Sequence, residues 1–288
     1  MERSRAIVSR IARSLSQIPG GWRLVKPLQN RFPVQLDSGL KECFVEIADY
    51  DGNLRLRLDI LSYMGSCVYW YGYYSKEELM VLDRILCPEM TFVDIGANNG
   101  YFTLFAAKRL PKGCVVAFEP VKETFENLCR NVASNGFLNV LTLELGLSDG
   151  NQKEGAIYSS DDDFKDALST LFPTGNRDQI LQRIELTTLD EKVEDLGLAR
   201  LDIIKIDIEG AELPALRGAK NCIERFRPTI LIEINQEMYT SAGYTVGDVT
   251  SFFRMFDYDF YLIERRGKLS PVEPESLRPL CNILCRPN

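Results

Sequence analysis

The sequence predicts an α/β fold in which a doubly wound, mostly parallel sheet has helices on both faces. Short apolar runs alternate along the chain with stretches of helical periodicity, which is typical of consecutive βαβ units. The last two apolar runs, at 258–264 and 281–285, follow one another without a helix, which predicts an antiparallel edge strand. The 288 residues, 45% of them hydrophobic, are enough to bury a core of this size.

Seven strands and four helices follow from these patterns. The predicted strands are 91–95, 114–118, 140–145, 201–206, 229–234, 258–264 and 281–285. The predicted helices are 101–110, 121–135, 211–225 and 246–256. A long irregular stretch up to about residue 183 interrupts the alternation, and its length predicts an active-site lid. The acidic run at 161–163 within it is expected to be a solvated loop.

The N-terminal segment differs from the rest in charge. Residues 1–36 contain seven basic residues and one acidic residue, whereas the remainder contains 27 basic and 40 acidic residues. Apolar residues recur there at helical spacing, namely Ile7, Val8, Ile11, Ala12, Leu15 and Ile18. This basic amphipathic segment is a leader helix packed on the domain, a contact for an anionic membrane surface or a partner, or a mitochondrial presequence. We expect residues 37–80 to form an entry or cap extension and residues 81–288 to form the α/β domain.

The composition excludes several kinds of site. The chain has no histidine, which excludes Ser–His and Cys–His nucleophiles, imidazole metal ligands and a histidine base. Its eight cysteines contain no Cys-x-x-Cys pair, so we expect no metal site and a reducing compartment, the cytoplasm. The net charge of −7 argues against nucleic acid as a partner. No stretch approaches the roughly 18 apolar residues of a transmembrane helix.

A glycine-containing turn follows the first predicted strand, where residues 94–100 read Asp-Ile-Gly-Ala-Asn-Asn-Gly. Gly96 permits a sharp turn, and Gly100 permits the next helix to begin close to a ligand. The Gly-x-x-x-Gly spacing differs from the Gly-x-Gly-x-x-Gly of dinucleotide phosphate sites. A looser turn preceded by the acidic Asp94 suits a cationic ligand without phosphates, although an ordinary strand–helix turn has the same composition.

Glu119 ends the second predicted strand, 19 residues after Gly100, and Pro120 follows it. A carboxylate at this position can accept two hydrogen bonds from a ribose diol. A ligand that combines adenosine with a cationic tail is S-adenosylmethionine. The two features together therefore predict S-adenosylmethionine as the cofactor.

Longer segments of the chain resemble one enzyme family. They are TFVDIGANNGYFTLFAAK, VVAFEP, NVASNGFLNV, LGLSD, TTLDE and LDIIKIDIEGAELPALRGA, followed by RPTILIEIN. With these segments, over roughly residues 91–235, the chain resembles the FkbM-type methyltransferases. The resemblance implies a seven-stranded class I methyltransferase (Rossmann-like) sheet and methyl transfer from S-adenosylmethionine. It also implies an acceptor hydroxyl on a sugar, a glycan or a polyketide-like secondary metabolite.

The same motif match implies a cofactor site. Asp94, Gly96 and Gly100 would hold the methionine end of the cofactor, Glu119 its ribose, and Ser148 with Asp149 would lie near the adenine. The other residues of the two turns complete the implied cofactor site, namely Ala97, Asn98, Asn99 and Pro120.

Without histidine, the catalytic base must be Asp, Glu, Lys or Tyr, or solvent after the transfer. Alternation along the predicted strand 201–206 and the residues after it puts Lys205, Asp207 and Glu209 on one face. Asp207 and Glu209 follow the strand's carboxyl end, so we expect them to face the methyl group. Lys205 is expected to be buried and paired with Glu233, because each is the fifth residue of its predicted strand; that pair is catalytic or purely architectural.

The aromatic run at 69–74 is expected to pack as a hairpin or to shape the acceptor pocket. Two other function classes stay open at this point. One is an oxidoreductase with a nucleotide cofactor, and the other is a catalytically silent protein that binds a ligand on the same fold.

Overall fold

The computed structural model describes residues 2–18, 20–32, 43–159, 170–173 and 179–288. In chain order its strands are β1 (Phe44–Tyr50), β2 (Leu54–Asp59), β3 (Thr91–Ile95), β4 (Cys114–Phe118), β5 (Val140–Leu143), β6 (Gly146–Leu147), β7 (Glu154–Ser159), β8 (Gln179–Thr187), β9 (Ile203–Ile206), β10 (Thr229–Asn235), β11 (Tyr258–Glu264), β12 (Lys268–Pro271) and β13 (Leu280–Pro287). The helices are α1 (Glu2–Ser16), α2 (Trp22–Arg31), α3 (Tyr63–Tyr71), α4 (Lys76–Ile85), α5 (Tyr101–Arg109), α6 (Lys122–Ser134), α7 (Leu189–Asp195), α8 (Glu212–Arg217), α9 (Lys220–Phe226), α10 (Gln236–Ser241) and α11 (Val246–Arg254).

The central sheet confirms the predicted fold class. Its strand order is β12-β11-β13-β10-β9-β3-β4-β5, and the strands from β5 to β10 are parallel to one another. β13 lies between β10 and β11 and is antiparallel to both. All seven predicted strands are present in this sheet. β12 adds an eighth strand at the antiparallel edge, because the turn at Arg265–Gly267 folds residues 268–271 back onto β11.

The long stretch that the sequence predicts as irregular contains two strands. β7 and β8 pair antiparallel, and β8 also pairs with the short strand β6. The sequence signal is an alternation late in β8, where Ile184 and Leu186 are buried and Glu185 between them is exposed. The acidic run at 161–163 lies outside the described residues.

The predicted helix 211–225 is broken into α8 and α9. The break comes at Gly218, where an added Cβ would lie 2.0 Å from the carbonyl oxygen of Ser148. The backbone at Gly218 therefore lies so close to the loop at Ser148 that only a residue without a side chain fits there, and the helix is interrupted.

The N-terminal elements pack on one face of the sheet. A hydrophobic cluster joins Ala12 of α1, Val25 of α2 and Trp70 of α3 to Phe92 of β3. The aromatic run at 69–74, expected as a hairpin, instead ends the helix α3, and Gly72 terminates that helix in a left-handed conformation. The hairpin of this region is β1–β2, which precedes α3.

The two faces of the sheet bury two different sets of residues. Ile203 and Leu231 belong to the cluster on the side of the N-terminal elements, whereas Ile204, Ile206 and Ile230 belong to the cluster on the opposite side. This alternation is the period of two expected for strands buried on both faces. None of the described helices is both long enough and apolar enough to cross a membrane.

Candidate active site

A cleft lies at the carboxyl ends of β3, β4 and β9, where ligands bind in open α/β sheets. Three turns supply its polar lining: residues 95–99 after β3, 118–121 after β4 and 207–209 after β9. The β7–β8 hairpin and the N-terminal elements close its sides with Ile157, Leu181, Ile184, Phe44, Met64 and Tyr74. Its charged lining residues are Asp59, Glu119, Glu123, Lys205, Asp207 and Glu209.

Backbone hydrogen bonds hold the turn after β3 in place. The N–H groups of Gly96 and Ala97 both donate to the carbonyl oxygen of Phe118, at 3.0 and 2.9 Å. Asn98 has a φ of +50°, a left-handed conformation that is uncommon for a non-glycine residue and often marks a functional site. The turn and the end of β4 thus form one rigid unit.

Glu119 lies at the centre of this unit and is almost fully buried. Its Oε2 accepts a hydrogen bond from the Asn98 N–H and its Oε1 one from the Val121 N–H, both at 2.9 Å. Burial raises its pKa to about 7, and these two hydrogen bonds oppose the shift only in part. Each carboxylate oxygen keeps a second lone pair with which it can accept a hydrogen bond from a ligand.

Asp94 lies beneath the turn and does not line the cleft. It is completely buried, and its Oδ2 accepts a hydrogen bond of 2.6 Å from the Thr103 hydroxyl. Burial raises its pKa more strongly than the nearby Lys205 lowers it. Asp94 is thus placed to support the turn through Thr103, and its predicted contact with the methionine end of the cofactor stays a prediction.

Three other residues of the predicted cofactor site also lie outside the lining. Gly100 packs against α6, where an added Cβ would lie 2.8 Å from the Leu128 side chain. Ser148 and Asp149 come just after the residues that reach the cleft, which are Gly146 and Leu147. Gly96, Ala97, Asn98, Asn99, Glu119 and Pro120 do line it.

The predicted Lys205–Glu233 ion pair is wrong. The Lys205 ammonium lies 3.3 Å from Asp207 and 3.9 Å from Asp94. β9 begins at Ile203 rather than Leu201, so Thr229 lies opposite Ile203 and Lys205 lies opposite Leu231. Counting from the predicted strand starts therefore put Glu233 opposite Lys205, whereas Glu233 lies two residues farther along β10 than the true partner position, Leu231.

Lys205 is buried between these two carboxylates, and its ammonium lies 4.7 Å from the centre of the Phe102 ring. Burial alone would lower its pKa, but Asp207 and Asp94 outweigh that effect and the pKa is raised. Lys205 therefore stays positively charged and links the base of the turn to the cleft.

Three carboxyl groups meet at the other end of the cleft. Oxygens of Asp207, Glu209 and Glu233 lie within 4.8 Å of one another, the one group in the described part of the chain that could hold a metal ion. Burial, followed by the charges of Asp207 and Glu212, raises the pKa of Glu233 to about 8. Glu233 therefore keeps its proton at neutral pH. Glu209 has a φ of +49°, a second strained residue at the site.

A comparison with protein-family models matches residues 94–260 to the methyltransferase FkbM domain. The match covers more than half of the chain and includes all three turns of the cleft.

The chain belongs to the FkbM methyltransferase family.

Three relatives are similar to parts of this FkbM methyltransferase. The AMB antimetabolite synthetase AmbE of Pseudomonas aeruginosa is 28% identical over 63% of the chain, but the match spans only 10% of AmbE. Methyltransferase sdnD of Sordaria araneosa is 31% identical over 44% of the chain and 59% of sdnD. The hexuronic acid methyltransferase AglP of Haloferax volcanii is 28% identical over 54% of the chain and 58% of AglP. The chain thus spans well under two thirds of each of these proteins.

Membership in this family favours methyl transfer over the alternative of an oxidoreductase with a nucleotide cofactor. The strand order around β3, together with the antiparallel β13, is that of the class I methyltransferase sheet that the resemblance implied.

Sequence reasoning missed several residues of the FkbM methyltransferase cleft. Glu212 is buried beneath it and accepts hydrogen bonds from the N–H groups of Ile208 and Gly210, which fixes the turn after β9. Burial raises its pKa to about 7. Its place in the KIDIEGAE motif was a signal for it. Asp59 and Met64 reach the cleft from the N-terminal elements, and no local pattern in the sequence indicated them.

The structure predicts a specific defect for Gly96→Ala. An added Cβ would lie 2.1 Å from the carbonyl oxygen of Asp207, at a φ of +79°. Gly136→Ala is the matched control, since Gly136 also has a positive φ (+66°) but has open space around it. The control should lose about 1–2 kcal/mol from its backbone conformation alone. Gly96→Ala should lose more stability and also bind cofactor more weakly, as measured by thermal unfolding and calorimetry. Equal losses in the two variants would show that the close approach to Asp207 has no effect.

Stability of the cofactor-free protein should fall as the pH rises. Glu119 and Glu212 have a folded-state pKa of about 7 and Glu233 one of about 8, against an ordinary value of 4.5. The folded state therefore binds protons more tightly than the unfolded chain. The resulting contribution to the free energy of unfolding is fully present below about pH 4.5 and is lost as the pH rises to about 8. For Glu119 alone the loss is about 3 kcal/mol.

Thermal unfolding across this range should give a lower Tm at about pH 8.5 than at about pH 5.5. The chain has no histidine to add an opposing titration. Glu119→Gln should flatten the slope. A Tm that increases with pH across this window would contradict the raised pKa values.

Proposed function

We propose that this chain transfers a methyl group from S-adenosylmethionine to a hydroxyl of a neutral acceptor, such as a sugar, a glycan or a polyketide-like metabolite. The observation that supports this most is the arrangement of the cleft. A carboxylate suited to a ribose lies at one end, and a cluster of three carboxyl groups lies at the other.

The residues at the first end fit the cofactor. Glu119 retains two lone pairs toward the cleft, which suit the two hydroxyls of a ribose. Gly96, Ala97 and Asn98 expose backbone at the turn, where there is room for the methionine part. Apolar side chains of Leu147, Ile157, Leu181 and Ile184 offer a surface for the adenine.

The residues at the other end fit proton removal from an acceptor. When bound, S-adenosylmethionine supplies a methyl group on a positively charged sulfur that is already a good leaving group. Because Glu233 keeps its proton near neutral pH, we assign Asp207 or Glu209 as the group that accepts the hydroxyl proton. Lys205 holds Asp207 at 3.3 Å and so orients it. The β7–β8 hairpin lines one side of the cleft with apolar side chains, which would limit the access of water to the reacting atoms.

Tyr74 also lines the cleft but is a poor base. Burial, followed by the charges of Asp207 and Glu233, raises the pKa of its phenol. It therefore donates a hydrogen bond rather than accepting a proton at neutral pH.

The charge of the cleft favours a neutral or cationic acceptor. Its described lining contains five acidic residues and one lysine, and that lysine is already paired. The carboxylate of a hexuronic acid, the acceptor class in the name of AglP, would be repelled there, as would phosphate groups. The same repulsion disfavours nucleic acid as the acceptor.

The proposal is tested by incubating the purified protein with methyl-labelled S-adenosylmethionine and cell extracts separated by charge. We expect label in the neutral fraction, in a product whose acid hydrolysis yields a labelled methyl ether. The double variant Asp207→Asn/Glu209→Gln should incorporate label at least about 100-fold more slowly. Label confined to strongly anionic products would contradict the acceptor class, and label on nitrogen would contradict O-methylation. Repeating the assay with a chelator separates proton transfer from metal assistance, because only a metal-dependent reaction stops.

Cofactor affinity should depend on the ionisation of Glu119. Its ionised form accepts the ribose hydrogen bonds, and its pKa in the empty cleft is about 7. The dissociation constant should therefore fall by about tenfold between pH 6 and pH 8. Glu119→Gln should bind more weakly at pH 8 and show almost no dependence on pH. An equally steep dependence in the variant would assign the titration to another group.

A further inference from the structure

Helix α1 turns its polar side toward the protein. Arg13 is buried, its Nη1 donates to the Tyr69 carbonyl oxygen at 2.7 Å and its Nη2 lies 2.9 Å from Asp49. The hydroxyl of Ser16, also buried, donates to the carbonyl oxygen of Tyr71. The expected leader helix does pack on the domain, but mainly through polar and small residues.

The opposite side of α1 leaves two large apolar side chains open to solvent, beside the exposed Arg10. Ile7 is 62% exposed and Ile11, one turn later, is 51% exposed. A helix on the surface of a soluble protein normally has the reverse arrangement, with its apolar stripe facing the core. The packing of α1 therefore does not account for these isoleucines.

Exposed apolar side chains continue across the junction between α1 and α2. Ile18 is 58% exposed, Trp22 48% and Leu24 56%. Among the described residues, 13 large apolar side chains are exposed, and five of them lie between residues 4 and 32, about a tenth of the chain. Such a concentration marks an interaction surface rather than ordinary surface composition.

Cations without acidic partners surround these side chains. Within the described residues, none of the ion pairs includes Arg5, Arg10, Arg23, Lys26 or Arg31. Residues 4–32 contain no acidic residue, whereas the rest of the chain is strongly acidic. The surface therefore complements a negatively charged partner.

We propose that α1 and α2 form a docking surface for a bilayer that contains anionic lipids. Exposed isoleucines and a tryptophan beside arginines and lysines are the features of an interfacial helix, which buries its apolar side at the headgroup boundary. The cations attract anionic headgroups, while the acidic remainder of the chain is repelled and stays in solution. A nucleic acid would satisfy the cations but would leave Ile7 and Ile11 exposed, so the apolar row favours the bilayer.

The test is flotation of the purified full chain with vesicles of pure phosphatidylcholine and of equimolar phosphatidylcholine and phosphatidylserine. We expect binding to the anionic vesicles that decreases with added salt. Arg10→Gln and Lys26→Gln should each weaken it about fivefold, from the contribution of one cation near an anionic surface. The double variant Ile7→Ser/Ile11→Ser should weaken it by at least about tenfold. The matched control is Leu138→Ser, because Leu138 is fully exposed but lies outside these helices.

Thermal unfolding of each variant separates lost binding from lost folding, since none of these side chains is buried. Absence of the protein from floated anionic vesicles would overturn the proposal. Full binding by Ile7→Ser/Ile11→Ser would also overturn it, because the contact would then be purely electrostatic. Binding to single-stranded RNA but not to vesicles would assign the surface to nucleic acid.

Discussion

Lys205→Met should destabilise the FkbM methyltransferase by about 3–5 kcal/mol, because it removes the cation from a buried ion pair. Asp94 is completely buried, and Lys205 at 3.9 Å is its cationic partner in the structure. For a chain of this length the loss corresponds to a Tm that is lower by roughly 10 °C in thermal unfolding. Methionine has nearly the same length as lysine, so lost packing contributes little.

The double variant Lys205→Met/Asp94→Asn should recover much of the loss, because the amide leaves no buried charge. Lys220→Met is the matched control on an exposed lysine and should leave the Tm nearly unchanged. Acidification should also restore part of the stability of Lys205→Met, since protonation neutralises Asp94. A stable but inactive Lys205→Met would contradict this assignment and would move Lys205 into the chemistry.

Asp207→Asn and Glu209→Gln should lower turnover while the protein still binds cofactor. If one of these carboxylates takes the proton from the hydroxyl of the methyl acceptor, replacing it with the amide should lower kcat by about 100-fold or more. The measurement is the initial rate at saturating S-adenosylmethionine, with cofactor affinity determined separately by calorimetry. The control is Asp259→Asn, which changes an exposed aspartate on β11 outside the cleft.

A fall in only one of the two variants would identify the base. Full activity in both would exclude Asp207 and Glu209 as bases, and proton loss to solvent would be the remaining route. Adding a chelator to the wild-type protein is a separate test. If its turnover then falls and added Mg²⁺ restores it, the three carboxyl groups would be assigned to a metal ion instead.

Most of the sheet could be predicted from the sequence, because its strands are short, apolar and bounded by turn residues. Residues 91–95, 114–118 and 258–264 are strands with the predicted bounds. β7 and β8 were missed because the neighbouring Ile180 and Leu181 of β8 are both exposed, so the alternation that marks a strand is confined to its last residues. The break at Gly218 depends on a contact with the distant Ser148, which no local pattern can indicate.

The candidate site could be predicted for residues that directly follow a recognisable strand, because the strand determines where they lie. Glu119 and the turn from Gly96 to Asn99 line the cleft because the carboxyl ends of parallel strands lie at one edge of the sheet. The partner of Lys205 depends on the register between β9 and β10, and a shift of two residues in the start of β9 was enough to choose the wrong carboxylate. The burial of individual side chains could not be predicted either, since no local pattern indicates that Asp94 is completely buried.

The three glutamates with raised pKa values, two of about 7 and one of about 8, give this protein an unusual spectroscopic property. In most proteins, histidine obscures any titration between pH 5 and 8, but this chain has none. A protonated carboxyl group has a carbonyl stretching band, separate from those of carboxylates and amides, that infrared difference spectra resolve. Glu119, Glu212 and Glu233 should therefore give bands that decrease as the pH rises through about 7 to 8, and isotope-labelled glutamate would identify them. Each step of a catalytic cycle that moves a proton onto or off these carboxyl groups could then be observed in the wild-type protein, without an introduced probe.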